Sequence, residues 1–134
     1  MISQWDAQTA IYSALKGDTT FLAKGWPVHD GAVPQAVEPR FPYVVIGEAS
    51  ENGADLLVRI GRELVVTIHV FSRYKGSREV KEIMNEISRV LDRTVLTTST
   101  WRFPVVRFES AQSMIEDEDQ RHGVLNIRLT AQPV

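Results

Sequence analysis

The segment from residue 62 to residue 93 constrains the fold most, because it joins a long strand pattern to an amphipathic helix. Residues 64–71 are rich in β-branched and aromatic side chains, a composition typical of a packed strand. Alternation along the strand gives one wholly apolar face, which we expect to meet the core: Leu64, Val66, Ile68 and Val70. The other face is mixed, suited to partial solvation or to cover by another protein: Val65, Thr67, His69 and Phe71. Apolar residues on both sides favour a central strand.

A helix follows the turn that ends at Gly76, and Ser77 is its predicted N-cap. Its apolar residues recur at spacings of three and four and form one stripe: Val80, Ile83, Met84, Ile87, Val90 and Leu91. A helix of this kind is stabilised mainly by burying its stripe. We therefore predict that it packs on the apolar face of the preceding strand.

Length and composition are those of one globular domain that spans residues 1–134. The net charge of −2 gives no global basicity that would point to nucleic acid. The absence of cysteine excludes disulfides, thiol catalysis and cysteine metal sites. No apolar run approaches the ~20 residues that span a bilayer, and the N-terminus lacks a signal peptide. We expect no membrane association, and a location in the cytosol or in a particle assembled there.

The N-terminal part predicts two helical segments followed by an irregular stretch. The first helix covers residues 3–16, with Ser3 as N-cap and Gly17 as the closing glycine. Residues 18–24 form a short helical turn that should carry Phe21 and Leu22 inward. Four prolines make residues 25–42 irregular, apart from a short strand at residues 28–31.

A second strand is predicted at residues 43–47, and a polar loop with Asn52-Gly53 as its turn is predicted at residues 48–55. Residues 56–60 then extend the long strand backwards. After a polar connector at residues 94–100, strands are predicted from residue 105 towards residue 115 and at residues 122–131. The fold class that follows is α+β, a two-layer sandwich. Its sheet is largely antiparallel, with the two main helices on one face.

The residues that could take part in catalysis or metal binding do not form a recognisable site. His29, His69 and His122 share no ligand spacing, so no metal site is predicted. The sequence His29-Asp30-Gly31 fits a turn better than a metal phosphohydrolase pair. No serine lies in a nucleophile elbow, and no glycine-rich loop suits phosphate. We predict no catalytic, metal or cofactor-binding residue.

Four consecutive carboxylates form an acidic loop before the last strand: Glu116, Asp117, Glu118 and Asp119. The loop lacks the alternating ligands and the glycine of a calcium loop. It suits a solvated hairpin tip. If the protein forms a ring around DNA, the same loop could face the lumen and repel phosphate.

The chain resembles the tail-terminator, or tail-completion, proteins of long-tailed bacteriophages and gene-transfer particles, the head-to-tail joining proteins. The resemblance covers nearly the whole chain, and these segments carry it: Ala7–Leu15 with Gly17, Val28–Gly31, Val33-Pro34, Phe41–Glu48, Leu64–Phe71, Gly76–Leu91 and Asp119–Arg128. The resemblance implies an α+β sandwich that assembles into a ring, typically hexameric. It implies that the ring caps the tail tube, stops its polymerisation and meets the head-side connector or stopper protein.

The resemblance further implies no enzymatic activity and no cofactor. DNA would only pass through the lumen. The location implied is the tail–head junction of the virion, with the host cytoplasm as the site of assembly. The alternative readings are a small bacterial ligand- or partner-binding α+β module and, less favoured, a hydrolase with a dispersed site.

A closed ring needs a heterologous interface, and the chain offers the mixed strand face and two contact loops for it, the proline-rich segment Pro34–Pro42 and the loop Glu48–Asp55. The candidate interface residues are Val65, Thr67, His69, Phe71, Arg40, Phe41, Glu51, Asn52 and Asp55. The candidate lumen-facing residues are those of the acidic loop.

Overall fold

A computed structural model describes residues 1–31, 40–117 and 119–134, and in those ranges it contains three helices and six strands. The helices are α1 (Gln4–Gly17), α2 (Thr19–Lys24) and α3 (Arg78–Leu91). The strands are β1 (Val28–Asp30), β2 (Tyr43–Gly53), β3 (Arg62–Ser72), β4 (Leu96–Thr97), β5 (Trp101–Asp117) and β6 (Gln120–Pro133). Most of the proline-rich segment proposed as a contact loop, and Glu118 of the acidic loop, lie outside the described residues.

The strands form one sheet in the order β1-β2-β3-β6-β5-β4. Only β1 and β2 pair in parallel; the other described pairs are antiparallel. The mixed α+β class and the largely antiparallel sheet are therefore confirmed. The sheet is curled into a half-barrel, and the two-layer arrangement stays a prediction. None of the described helices is long and apolar enough to cross a bilayer.

The predicted packing of the central strand on the amphipathic helix is confirmed. The apolar face of β3 is completely or almost completely buried, and β3 pairs with β2 on one side and β6 on the other. The buried residues of α3 are Val80, Ile83, Met84, Ile87 and Leu91. They share one hydrophobic core with the β3 face and with the buried side of α1.

The start of α1 differs from the prediction, because the Ser3 side chain makes no capping hydrogen bond. Ser3 is fully buried, and its Oγ donates instead to Glu51 of β2 at 3.1 Å. The Ser3 backbone N–H also donates to the Glu51 carboxylate, at 3.0 Å. A carboxylate from the sheet thus occupies the positive end of the helix, where negative charge is stabilising.

The prediction that Leu22 points inward is wrong. Asp18 caps α2 by accepting a hydrogen bond from the Phe21 N–H at 2.9 Å, and Gly25 ends the helix in the left-handed region. This single turn buries Phe21 and leaves Leu22 exposed. A helix of six residues presents only one narrow face to the core, so two adjacent apolar residues cannot both reach it.

The polar loop predicted at residues 48–55 is mostly strand. β2 continues to Gly53 and pairs with β3 up to the Gly53–Arg62 position. Among the described residues, β1 covers only the first part of β2, so the second part forms a sheet edge whose alternate side chains are exposed. Its polar sequence reflects that edge. Residues 56–60 do not extend β3, which begins at Arg62.

Gly123 in β6 lies directly beneath α3. A Cβ atom added there would lie 2.8 Å from both Met84 Sδ and Val80 Cγ2. We expect Gly123→Ala to lower the free energy of unfolding by about 1–3 kcal/mol, because the overpacked helix must shift. Urea unfolding measures the effect. Gly53→Ala is the matched control, since no atom lies within 4 Å of its added Cβ, and equal stability of the two variants would contradict the packing.

Candidate interaction surface

An aromatic ladder crosses the face of the sheet that points away from the helices. Strand register places Tyr43 opposite Phe71 and Phe71 opposite His122. The Phe71 ring stacks on His122 with centroids 4.4 Å apart, and on Tyr43 at 5.1 Å. Phe41 continues the ladder beside Tyr43 at 5.0 Å, and His69 lies 5.0 Å from His122. Burial raises the pKa of the Tyr43 phenol.

A hydrogen-bonded relay runs along the same end of the face. His69 Nδ1 lies 2.8 Å from His122 Nε2, although the two residues are 53 positions apart in the chain. His69 Nε2 contacts the Glu48 carboxylate at 2.5 Å, and His122 Nδ1 contacts Glu116. The hydrogen bond from His69 lowers the pKa of Glu48. All four ring nitrogens have partners within the fold.

Polar side chains bridge the strands farther along this face. Thr67 Oγ1 donates to Asn126 Oδ1 at 2.7 Å, and Asn126 Nδ2 donates to Ser110 Oγ at 2.9 Å. Arg128 in turn binds Glu63 of β3 and Glu109 of β5. These lateral bonds fix side-chain rotamers before any partner arrives, which reduces the entropy cost of forming an interface.

The candidate interface residues separate into two groups. Four of them, on the mixed face of β3, are half-buried in the isolated chain: Val65, Thr67, His69 and Phe71. Phe41 extends the aromatic ladder, Arg40 is exposed beside it, and the Arg73 guanidinium lies 4.1 Å above the Phe41 ring. The other three candidates, Glu51, Asn52 and Asp55, lie at or beyond the opposite end of β2.

Two of those three side chains have structural partners. Glu51 is only 5% exposed, and it binds Ser3 and Arg62. Asp55 Oδ1 accepts hydrogen bonds from the Gly61 N–H and from Arg62 Nη1, both at 2.9 Å. Asn52 is exposed. The sequence offers no signal for the role of Glu51, because Ser3 is 48 positions away.

We predict that Glu51→Gln lowers the free energy of unfolding by about 1.5–3 kcal/mol, because hydrogen bonds to a charged group are lost around the buried Ser3. Chemical denaturation measures the change. Asn52→Asp, exposed at the next position, is the matched control and should leave stability nearly unchanged. An unchanged midpoint for Glu51→Gln would show that the carboxylate does not anchor α1.

Of the acidic loop, Glu116 and Asp117 form the end of β5, and Asp119 lies between β5 and β6. Glu116 still belongs to β5, and its carboxylate accepts from His122 and from Gln120 Nε2, the latter at 2.6 Å. The Glu116 carboxylate is therefore already hydrogen-bonded within the fold.

A groove of about 510 Å³ lies between α1 and β1. Its residues are Trp5, Gln8, Thr9, Tyr12, Ser13, Val28, His29 and Asp30. The Gln8 amide donates to Asp30, and Gly31 takes a positive φ of 75°, as the predicted turn requires. Within the described ranges, no three His, Asp or Glu side chains converge to hold a metal ion.

The family model for tail completion protein gp17 matches residues 9–132. The chain belongs to this family. Its fold is similar to that of a chain in the virion of a native gene transfer agent particle. The TM-score is 0.82, the sequence identity is 25%, and the match covers 93% of each chain. A second solved structure shares the fold at a TM-score of 0.51 and 18% identity over 95% of each chain. No curated protein sequence matches.

These matches confirm the resemblance and establish that this tail completion protein is a structural component of the virion. Its family is one of tail structural proteins and not of enzymes. Several of the segments that carry the resemblance have identifiable structural roles. The Phe41–Glu48 segment leads into β2 and supplies Phe41 and Tyr43 of the aromatic ladder and Glu48 of the relay, and Gly123 lets α3 approach β6.

Proposed function

We propose that this tail completion protein is the tail terminator of its particle. It forms a ring, hexameric by resemblance, that caps the tail tube and stops polymerisation of the tube. The ring then presents its other surface to the head-side connector. The observation that carries the proposal is the similarity to a gene transfer agent virion chain over nearly the full length of both chains.

The mixed face of the sheet is the proposed subunit and partner interface. Its aromatic ladder resembles the cores of protein interfaces, which are enriched in aromatic residues and arginine. Phe71 and Val65 retain part of their surface in the isolated chain, so a neighbour can still bury them. Lateral hydrogen bonds hold the face in one conformation, which favours recognition of a fixed partner surface.

The acidic hairpin tip is proposed to face the lumen. Six copies of its four carboxylates would supply 6 × 4 = 24 negative charges around passing DNA. Their repulsion of phosphate extends over a Debye length of ~10 Å at 0.1 M salt and weakens as salt is added. Cryo-electron microscopy of capped tubes tests this orientation, and loops found on the outer rim would exclude it.

The test of the terminator function combines light scattering after gel filtration with tube growth. The purified protein is measured alone, with finished tail tubes, and with polymerising tail-tube protein from the same particle. We expect a ring, or a monomer that becomes a ring on tube ends, together with arrested tube growth. A monomer that does not bind tubes and leaves their length unchanged would refute the terminator function and favour the small partner-binding module.

A further inference from the structure

The connection between β2 and β3 carries a hydrophobic tip, which comprises Leu56, Leu57, Val58 and Ile60. Leu56 and Ile60 are 68% and 52% exposed, and Leu57 and Val58 are almost completely exposed. Four large apolar side chains that protrude together are unusual on a protein that functions alone, and such patches mark interaction sites.

The hydrophobic tip is ordered by its own hydrogen bonds. Leu56 N donates to Arg59 O at 2.9 Å, and Arg59 N donates back to Leu56 O at 3.2 Å. Below them, Ala54 N donates to Gly61 O at 3.0 Å, and Asp55 holds Gly61 and Arg62. The backbone therefore forms a small closed hairpin whose two turn residues are Leu57 and Val58.

Turn chemistry does not explain those two residues. Two-residue hairpin turns favour Asn, Asp or Gly, which tolerate positive φ and interact with water. Leu57 and Val58 satisfy neither preference, and neither adopts a positive φ. Departures from local rules of this kind are expected at functional positions. The tip is therefore shaped for an apolar environment that the isolated chain does not provide.

The groove between α1 and β1 supplies that environment. Trp5 and Tyr12 lie two turns apart on one side of α1, and both are exposed although they border the groove. Val28 lies at its base and is buried. The groove also contains one carboxylate, Asp30, while the tip carries one cation, Arg59.

Within one chain, Arg59 of the tip cannot reach Asp30 of the groove. Asp30 pairs with β2 at Ile46, and the tip begins beyond Gly53. The 53 − 46 = 7 residue steps of extended strand separate Asp30 from the tip by about 20 Å. A protrusion and a complementary groove at different places on one chain make a heterologous contact, which forms a ring when the rotation closes.

We propose that the hydrophobic tip of one subunit inserts into the α1–β1 groove of the next subunit, with Arg59 facing the neighbour's Asp30. The occupant of the groove is thus a second copy of this chain. The inference rests on the proposed ring and adds a second contact to the mixed face. The ring can close only if each subunit presents its tip to the neighbour on one side and its groove to the neighbour on the other side.

Cysteine cross-linking tests the contact directly, because the chain contains no cysteine of its own. The double variant Leu57→Cys with Ser13→Cys places one thiol on the tip and one in the groove. Treatment with a short bis-maleimide, in solution and on tail tubes, should give a ladder of covalent oligomers that ends at the ring size. The control pair is Leu57→Cys with Leu22→Cys, also exposed but outside the groove. It should stay monomeric.

A charge exchange tests the specificity of the contact. Arg59→Glu should raise the protein concentration needed for capping at least about tenfold, because a cation facing Asp30 is replaced by an anion. The double variant Arg59→Glu with Asp30→Arg should cap tubes at about the wild-type concentration again. Asp30 is exposed, so thermal melting should show that each variant remains folded.

The outcomes separate this inference from the terminator function. Capping without a Leu57–Ser13 ladder would overturn the tip contact and leave the function standing. Cross-links from Leu57 to the tube protein would also overturn it, because the occupant would then be the tube. A ladder without capping would support the contact and refute the terminator function.

Discussion

Replacing Ile83 by aspartate is expected to unfold the domain. Ile83 is completely buried on the α3 stripe, between the helix and the sheet. Truncation of a buried isoleucine costs about 2–5 kcal/mol, and an unpaired buried charge adds several kcal/mol more. Because domains of this size are stable by only about 5–15 kcal/mol, the sum removes most or all of the stability. Ile87→Asp should behave in the same way, since Ile87 is equally buried.

Circular dichroism and thermal melting measure the result. Asn85→Asp is the matched control, because it introduces the same charge on the exposed side of the same helix. It should fold and melt like the wild type. A soluble Ile83→Asp protein with a cooperative melting transition near that of the wild type would refute the packing of α3 on β3.

Replacing Val65 by glutamate is expected to weaken capping strongly while the chain remains folded. Val65 is half-buried on the mixed face of β3, opposite Ser50 on one side and Arg128 on the other. Arg128 offers a partner for the new carboxylate, so the monomer should tolerate it. In a subunit interface, however, the new carboxylate would have to be desolvated. A hot-spot loss of at least about 2 kcal/mol corresponds to an increase of about 30-fold in the capping concentration.

Lys81→Glu is the control for this prediction, because Lys81 is exposed on the outer side of α3. It makes a larger change in net charge but should leave capping unchanged. The assay follows tube length by electron microscopy against protein concentration. Capping by Val65→Glu at the wild-type concentration, with an unchanged melting temperature, would exclude the mixed face as the interface.

Local periodicity predicts the parts of this protein that are amphipathic over their full length. The three-and-four spacing of α3 and the alternation of β3 and β6 identify each element and its buried side. The family resemblance was also accessible, because its segments are local stretches of sequence. The edge half of β2 was not predicted, since a solvated edge strand has the polar composition of a loop.

Local sequence patterns are sufficient to predict the α+β class, the two long helices, the central strand and the family. Each of these depends on residues that are close in the chain. The folded structure alone reveals which distant residues meet. It brought His69 to His122, Ser3 to Glu51, and Val80 and Met84 onto Gly123. It also showed that the residues after Gly53 form an exposed hydrophobic tip. The physical reason is that strand register and edge position depend on pairing between distant segments. The hydrophobic periodicity of one segment carries no information about which segment it pairs with.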